Sequence, residues 1–144
     1  MDKNNITFDL DNVIFATNEM AHKIALKEFN YTLHHADWYL KDEPEEIRER
    51  MTQFFCGGKE SFNAKATSLL IPHYIKVLSK IYNVYFVSSR EPENHEPTLK
   101  QLSDNNIIIS RKNVICISGS NKLPILQNLN TKLHIDEMCI RDRL

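Results

Sequence analysis

One longer and three shorter apolar runs lie along the chain, and together they predict the strands of a sheet. The longer run, residues 6–15, reads Ile-Thr-Phe-Asp-Leu-Asp-Asn-Val-Ile-Phe and is rich in β-branched and aromatic side chains. Such a segment is typical of a buried strand that runs into a loop. Shorter apolar runs predict three further strands, over residues 84–87, 114–117 and 132–136.

Apolar side chains at helical spacing fill most of the remaining chain. They predict helices over residues 18–29, 43–55, 62–82, 96–105 and 121–130. Asn18 is predicted to cap the first of these helices, because asparagine oxygens accept hydrogen bonds from unpaired N–H groups at a helix start. Pro72 predicts a start or a kink inside the segment 62–82, since proline lacks a backbone N–H.

The order of these elements predicts an α/β fold. From residue 84 onward strands and helices alternate, which favours a parallel sheet with right-handed crossovers. The helical stretch over residues 16–82 is too long for one crossover and indicates an insertion after the first strand. We therefore predict one domain over residues 1–137, with a sheet-containing core (1–15 and 83–137) and a small helical cap (16–82).

Composition narrows the class of protein. The chain has 144 residues, of which 42% are hydrophobic and 26% charged, as in ordinary globular domains. The net charge of −1 gives no general attraction to nucleic acids or acidic membranes. No apolar run approaches the length of a membrane span, and the polar residues 1–5 do not resemble a signal peptide. Three scattered cysteines without a CxxC pair favour a reducing cytoplasm.

Polar side chains follow each predicted strand at the point where the strand ends. In an open parallel sheet these ends share one edge, and ligands bind beyond it. The polar residues at this edge are Asp9 and Asp11, then Ser88, Ser89 and Arg90, then Ser118, Ser120 and Lys122, and finally Asp136.

This set of side chains suits phosphoryl transfer. A carboxylate can attack phosphorus and form an acyl phosphate, and a second carboxylate can protonate the leaving oxygen and later deprotonate water. A magnesium ion held by oxygen ligands offsets the negative charge, and a lysine and a hydroxyl can bind the phosphoryl oxygens.

The motifs and their order resemble those of the haloacid dehalogenase (HAD) superfamily of phosphatases. The first motif is matched by Phe8-Asp9-Leu10-Asp11-Asn12-Val13, the second by Ser88, the third by Lys122, and the fourth by Ile135-Asp136-Glu137. The resemblance covers the whole chain, and the insertion stands where this superfamily carries a helical C1-type cap.

The resemblance implies a role for each matched residue. Asp9 would be the nucleophile and a magnesium ligand. Asp11 would be the acid/base, and its backbone carbonyl would bind the same metal ion. Asp136 would complete the metal site, while Ser88 and Lys122 would bind the phosphoryl group during catalysis.

The same resemblance suggests residues and a class of ligand for substrate binding. Val87-Ser88-Ser89-Arg90 is similar to small 5'-nucleotidase-like or deoxyribonucleotidase-like phosphatases, including phage ones. Ser89, Arg90 and Asn12 are the candidate substrate-binding residues, and the expected partner is a small phosphorylated metabolite such as a nucleoside monophosphate. Asn12 stands where the superfamily commonly has glycine, and asparagine tolerates the left-handed backbone such a turn needs.

Other interpretations remain open at this point. Asp9 and Asp11 alone could be solvated carboxylates of a strand-end turn, and Arg90 could be a surface ion-pair partner. Lys112 or Lys132 could replace Lys122 as the phosphate-binding lysine. The whole chain could be a non-catalytic binding or regulatory domain that keeps the fold, or a phosphotransferase such as a phosphomutase.

The last residues suggest a sequence of non-natural origin. Met138-Cys139-Ile140-Arg141-Asp142 resembles the translation of a transposase sequencing adapter, ATG TGT ATA AGA GAC AG. We therefore expect residues 138–144 to be an adapter-derived tail on a gene fragment truncated inside its fourth motif. A missing strand and helix would leave the last strand as an unpaired sheet edge, and the truncated form could be inactive.

Overall fold

The computed structural model describes residues 2–34, 40–56, 59–119 and 121–137. The chain forms two compact units, which are described separately. The helical unit is Ala16–Lys65, and the sheet unit comprises the residues up to Phe15 and from Ala66 onward. The predicted adapter-derived tail, residues 138–144, lies outside the described residues.

Among the described residues, the sheet unit is built on four parallel strands in the order β3-β2-β1-β4. The strands are β1 (Asn5–Phe8), β2 (Asn83–Ser88), β3 (Val114–Cys116) and β4 (Leu133–Ile135). All four were predicted from the apolar runs, and the parallel arrangement confirms the predicted α/β fold. Phe8 of β1 is in register with Phe86 of β2 on one side and Ile135 of β4 on the other.

The two central strands are buried because both of their edges and both of their faces are covered. Ile6, Phe8, Val84, Phe86 and Val87 are each at most 7% exposed, and the rings of Phe8 and Phe86 meet edge to face with centroids 6.3 Å apart. This apolar centre stabilises the positions at which β1 and β2 end.

In the part of the chain that the structure describes, three α-helices belong to the sheet unit: α3 (Ile71–Ile81), α4 (His95–Asp104) and α5 (Leu123–Asn128). Helix α3 packs against β2, and α4 packs against β3. The predicted helical segment 62–82 is too long at its start, because Glu60–Asn63 is a short 3₁₀ helix and α3 begins only at Ile71, while the predicted helix start at Pro72 is confirmed. Pro72 lies in the first turn of α3, where its missing N–H removes no helical hydrogen bond.

The helical unit contains α1 (Thr17–Phe29) and α2 (Glu45–Cys56). Both helices were predicted, but the assignment of Asn18 as the cap is wrong: α1 starts one residue earlier, after Ala16, without a side-chain cap. Ala21 and Ala25 of α1 pack with Met51 and Phe54 of α2 in a closed apolar core. The predicted insertion extends to residue 82, whereas the compact helical unit ends at Lys65.

Short 3₁₀ segments complete the described structure, at Leu40–Asp42, Pro92–Asn94 and Arg111–Asn113. Across the described residues, no helix has both the length and the apolar character needed to cross a membrane.

Candidate active site

The candidate site lies at the carboxyl ends of β1 and β4, where the strand order reverses. The chain runs outward from β1 to β2 and β3, and then returns to the other side of β1 to form β4. Such a reversal opens a crevice beyond the strand ends of a parallel sheet. The backbone N–H of Asp9 donates to the carbonyl of Ile135 at 2.8 Å, which places Asp9 beside the residue that follows, Asp136.

Lys122 joins these two carboxylates. Its Nζ lies 2.8 Å from Oδ1 of Asp9 and 3.4 Å from Oδ2 of Asp136. The lysine side chain is only 8% exposed and that of Asp9 14%, whereas Asp136 is 44% exposed. Lys122 immediately precedes α5, so the third predicted motif does reach the ends of β1 and β4.

Burial and charge act against each other on Asp9. Burial raises the pKa of Asp9 to about 7, while the neighbouring Lys122 lowers it and the Asp136 carboxyl raises it. Burial also acts to raise the pKa of Asp136, but Asp9, Lys122 and His134 together hold that pKa below its ordinary value. Without a further cation, burial and the neighbouring Asp136 carboxyl therefore favour the protonated form of Asp9, and the charge of Lys122 opposes them.

The loop after β1 is a compact turn around one backbone carbonyl. The carbonyl oxygen of Leu10 accepts the N–H groups of Val13, Ile14 and Phe15, at 3.2, 2.8 and 3.0 Å. Asn12 has a φ of 64°, so the left-handed backbone anticipated at this position is confirmed. The Asn12 side chain donates to Oε2 of Glu137 at 3.1 Å, which ties the β1 loop to the residues after β4.

Asp11 forms an ion pair with Arg90. Nε and Nη2 of Arg90 donate to the two oxygens of the carboxylate at 3.1 and 2.9 Å. The Arg90 side chain is 8% exposed, so it makes an ion pair, but not one at the surface. Asp11 itself is 35% exposed.

Ser88 and Ser89 occupy different environments at the end of β2. Ser88 is 1% exposed, and its Oγ accepts the backbone N–H of Arg90 at 3.2 Å. Ser89 is exposed, and its carbonyl accepts the N–H of Gly119. Bonds of this kind join the end of β2 to the loop after β3, where Ser118 has a φ of 56° and Gly119 of 103°.

Sequence reasoning missed three side chains that support the site. His134 bonds to Thr7 Oγ1 at 2.8 Å through Nδ1 and to Asp136 Oδ2 at 3.1 Å through Nε2. Thr98 and Gln101, both on α4, hold Arg90. His134 could have been found from its position two residues before Asp136, because residues two apart in a strand point to the same face of the sheet.

The donor set at the strand ends suits a hard divalent cation. The carboxylates of Asp9 and Asp136 both contact the ammonium group of Lys122. Magnesium ions in proteins are bound mainly by oxygen atoms, carboxylate oxygens among them. Over residues 2–34, 40–56, 59–119 and 121–137, no group of three or more histidine, cysteine or acidic side chains is gathered closely enough to form a metal site by itself. A metal ion here would therefore need backbone oxygen or water as further ligands.

Comparison with known proteins identifies the fold. No family model matches the sequence, and no curated protein matches it. The class C acid phosphatase from Bacillus anthracis with tungstate bound matches with a TM-score of 0.56 at 16% identity, over 94% of this chain and 50% of that chain. A second structure of that phosphatase gives a TM-score of 0.53 at 17% identity, over 92% of this chain and 50% of the other. The chain has the HAD-like fold.

The predicted HAD-like α/β fold is thus confirmed, and the chain spans about half the length of these solved structures. A putative beta-phosphoglucomutase from Thermotoga maritima aligns with a TM-score of 0.46 at 13% identity, over 92% of this chain and 74% of that chain.

Proposed function

We propose that the chain carries the active site of a magnesium-dependent phosphomonoester hydrolase that acts through an aspartyl phosphate on Asp9. The observation that carries this proposal is the convergence of Asp9, Lys122 and Asp136 at the strand reversal. A lysine and a carboxylate that are both largely buried lose hydration free energy, which their mutual attraction need not recover. Such pairs are common at functional sites.

In the first step an Asp9 carboxylate oxygen attacks phosphorus, and the bond between phosphorus and the ester oxygen breaks. Asp11 gives its proton to the departing oxygen, which leaves as an alcohol. In the second step Asp11 takes a proton from water, the water oxygen attacks phosphorus, and the bond to Asp9 breaks. Inorganic phosphate is released and both carboxyls return to their starting states.

The other residues bind and stabilise the phosphoryl group. The Lys122 ammonium lies beside the attacking oxygen, where it can offset the charge that spreads over the phosphoryl oxygens. Ser88 would supply a hydroxyl from the end of β2. Asp9, Asp136 and the Asp11 carbonyl would hold Mg²⁺, whose charge when bound favours ionised Asp9 and neutralises the phosphate.

The substrate class in this proposal is a small phosphorylated metabolite, with nucleoside monophosphates as the narrower candidate. Support for the nucleotide comes from the Val87-Ser88-Ser89-Arg90 motif. Asn12 and the exposed Ser89 are the candidate residues for contacts beyond the phosphoryl group. The net charge of −1 argues against stable nucleic-acid binding, and the absence of a CxxC pair favours a cytoplasmic setting.

A phosphatase screen with and without Mg²⁺ tests this proposal, with Asp9→Asn as the diagnostic variant and Asp104→Asn as the matched control. Asp104 is an exposed carboxylate that pairs with Lys100 on α4. We expect magnesium-dependent phosphate release from the wild type and the control, and none from Asp9→Asn. Equal activity in all three proteins would overturn the assignment of the nucleophile.

A binding measurement gives a second readout that does not need turnover. Tungstate or orthovanadate titrated calorimetrically in the presence of Mg²⁺ should bind the wild type and should bind Lys122→Met at least tenfold more weakly. Product analysis with an added alcohol as acceptor would distinguish hydrolysis from phosphoryl transfer.

A further inference from the structure

We propose that Arg90 is a positioning residue that fixes the carboxylate of Asp11 for its two proton transfers and does not bind the phosphoryl group. The inference rests on the proposed function, because it assigns a role within the same site. It replaces the expectation that Arg90 contacts substrate.

The geometry of the Arg90–Asp11 pair is the first support. The guanidinium meets the carboxylate with two parallel hydrogen bonds, Nε to Oδ2 at 3.1 Å and Nη2 to Oδ1 at 2.9 Å. Two such bonds define the plane of the carboxylate as well as its position, which a single bond does not. The fork thus restrains rotation of the one acidic side chain that must face the leaving oxygen.

Helix α4 binds the guanidinium through the nitrogen that does not contact Asp11. Nη1 donates to Oγ1 of Thr98 at 3.0 Å and to Oε1 of Gln101 at 2.9 Å. Both helix residues are buried, Thr98 at 0% and Gln101 at 2% exposure, so their oxygens need a partner inside the protein. The ring of Phe15, itself fully buried, lies 5.6 Å from the guanidinium carbon and covers one face of it.

These contacts engage all three nitrogens of Arg90 with protein groups. The side chain of Arg90 is 8% exposed and that of Asp11 35%, so Asp11 is the member of the pair that a substrate can reach. A phosphate ligand would need donors directed outward, whereas those of Arg90 point to Asp11 and α4. Asp11 therefore acts on the substrate, and Arg90 acts through Asp11.

The contacts also explain why arginine suits this position. A lysine ammonium can approach one carboxylate oxygen, but it is not a planar fork and cannot meet Asp11, Thr98 and Gln101 together. Arg90→Lys keeps the charge and loses the fork, which makes it the informative substitution. Thr98→Val removes one support of the guanidinium at nearly constant volume and changes no charge.

The leaving group of the substrate separates positioning of Asp11 from binding of phosphate. An alkyl phosphate releases a strongly basic oxygen and needs the proton from Asp11, whereas p-nitrophenyl phosphate releases a stable phenolate and needs it little. The ratio kcat/KM covers substrate binding and the steps up to formation of the aspartyl phosphate, so it includes this first proton transfer and excludes the second.

We therefore expect Arg90→Lys to lower kcat/KM for an alkyl phosphate by about 100-fold, within the range of general acid catalysis, and that for p-nitrophenyl phosphate by less than about 10-fold. Thr98→Val should show the same selectivity with a smaller loss. Asp11→Asn should show the same selective loss of kcat/KM for the alkyl phosphate. Adding Arg90→Lys to Asp11→Asn should lower kcat/KM little further, because the proton transfer through which Arg90 acts is already absent. Arg111→Lys is the control, since Arg111 follows α4 in the chain and makes an exposed ion pair with Glu96 of α4.

An equal rise in KM for both substrates, with kcat unchanged, would show that Arg90 binds the phosphoryl group and would overturn the inference alone. The inference would also be overturned if the losses of kcat/KM in Arg90→Lys and Asp11→Asn multiplied fully in the double variant. If the wild type hydrolyses neither substrate with Mg²⁺ present, the proposed function fails and the positioning role fails with it. Circular dichroism of each variant confirms that the comparison is between folded proteins.

Discussion

The cost of ionising buried Asp9 should appear as a pH-dependent loss of stability in metal-free protein. Asp9 has a pKa raised from its ordinary 3.8 to about 7, chiefly by burial and against the opposing charge of Lys122. Between these two pH values the folded protein binds a proton that the unfolded chain has released. The free energy of unfolding therefore falls as pH rises through this window, and the stabilisation is fully present only below pH 3.8.

The size of the effect follows from the shift. At ~1.4 kcal/mol per pKa unit, a rise from 3.8 to about 7 corresponds to a loss of at most about 4 kcal/mol between pH 4 and pH 8. The pKa of Asp136 is lowered, so its own contribution changes below pH 3.8, outside this window. Asparagine at position 9 cannot ionise, and Asp9→Asn should remove the loss.

Urea unfolding in EDTA at pH 4, 6 and 8 provides the assay, with Asp104→Asn as the surface control. We expect wild type and control to lose stability across the series, and Asp9→Asn to be the most stable of the three at pH 8. Added Mg²⁺ should restore wild-type stability at pH 8, because a ligand that binds only the folded state stabilises it. Parallel pH profiles for wild type and Asp9→Asn in EDTA would show that ionisation of Asp9 does not cause the loss of stability.

Three further substitutions test separate parts of the structure. Lys122→Met should lower kcat about 100- to 1,000-fold, the usual effect of losing one charge-stabilising donor, and a loss below tenfold would contradict its role. Glu43→Gln should cost about 1–3 kcal/mol at pH 7, because this 5%-exposed carboxylate accepts the Tyr31 hydroxyl at 2.5 Å. Burial opposes ionisation of Glu43, but hydrogen bonds from Tyr31 and His34 lower its pKa, so the cost should vanish as pH falls well below 4.5 and persist above it. Met51→Ala should destabilise the core of the helical unit by about 2–5 kcal/mol in urea unfolding, and a smaller change would contradict close packing there.

The strands and the edge they share could be predicted from local patterns. Apolar runs set β1 and β2, and the carboxyl ends of parallel strands must meet, so Asp9 and Asp136 could be placed together before their distance was known. Lys122 could also be placed, because it follows β3 and precedes a helix. These inferences need only the common direction of the strands, which the alternation of strands and helices predicts, whereas the position of β4 beside β1 comes from the structure.

The contacts that orient the site could not be predicted in the same way. Arg90 meets Asp11 across 79 positions of sequence, and its supports on α4 are a threonine and a glutamine that carry no motif. The helical segment predicted over residues 62–82 begins too early for a local reason, since apolar residues on both sides of the loop keep helical spacing. The helix starts beside Pro72, which was one of the two roles predicted for that proline. Side-chain rotation and long-range pairing depend on packing that residue patterns do not encode.

The most direct test of the central claim is to trap the phosphoryl group on the enzyme. A substrate with labelled phosphate is mixed with Mg²⁺-loaded protein and quenched in acid within one turnover, and the labelled peptide is sequenced by mass spectrometry. We expect label on Asp9 in the wild type and none in Asp9→Asn. Phosphate release without any label on Asp9, or label on another residue, would contradict it.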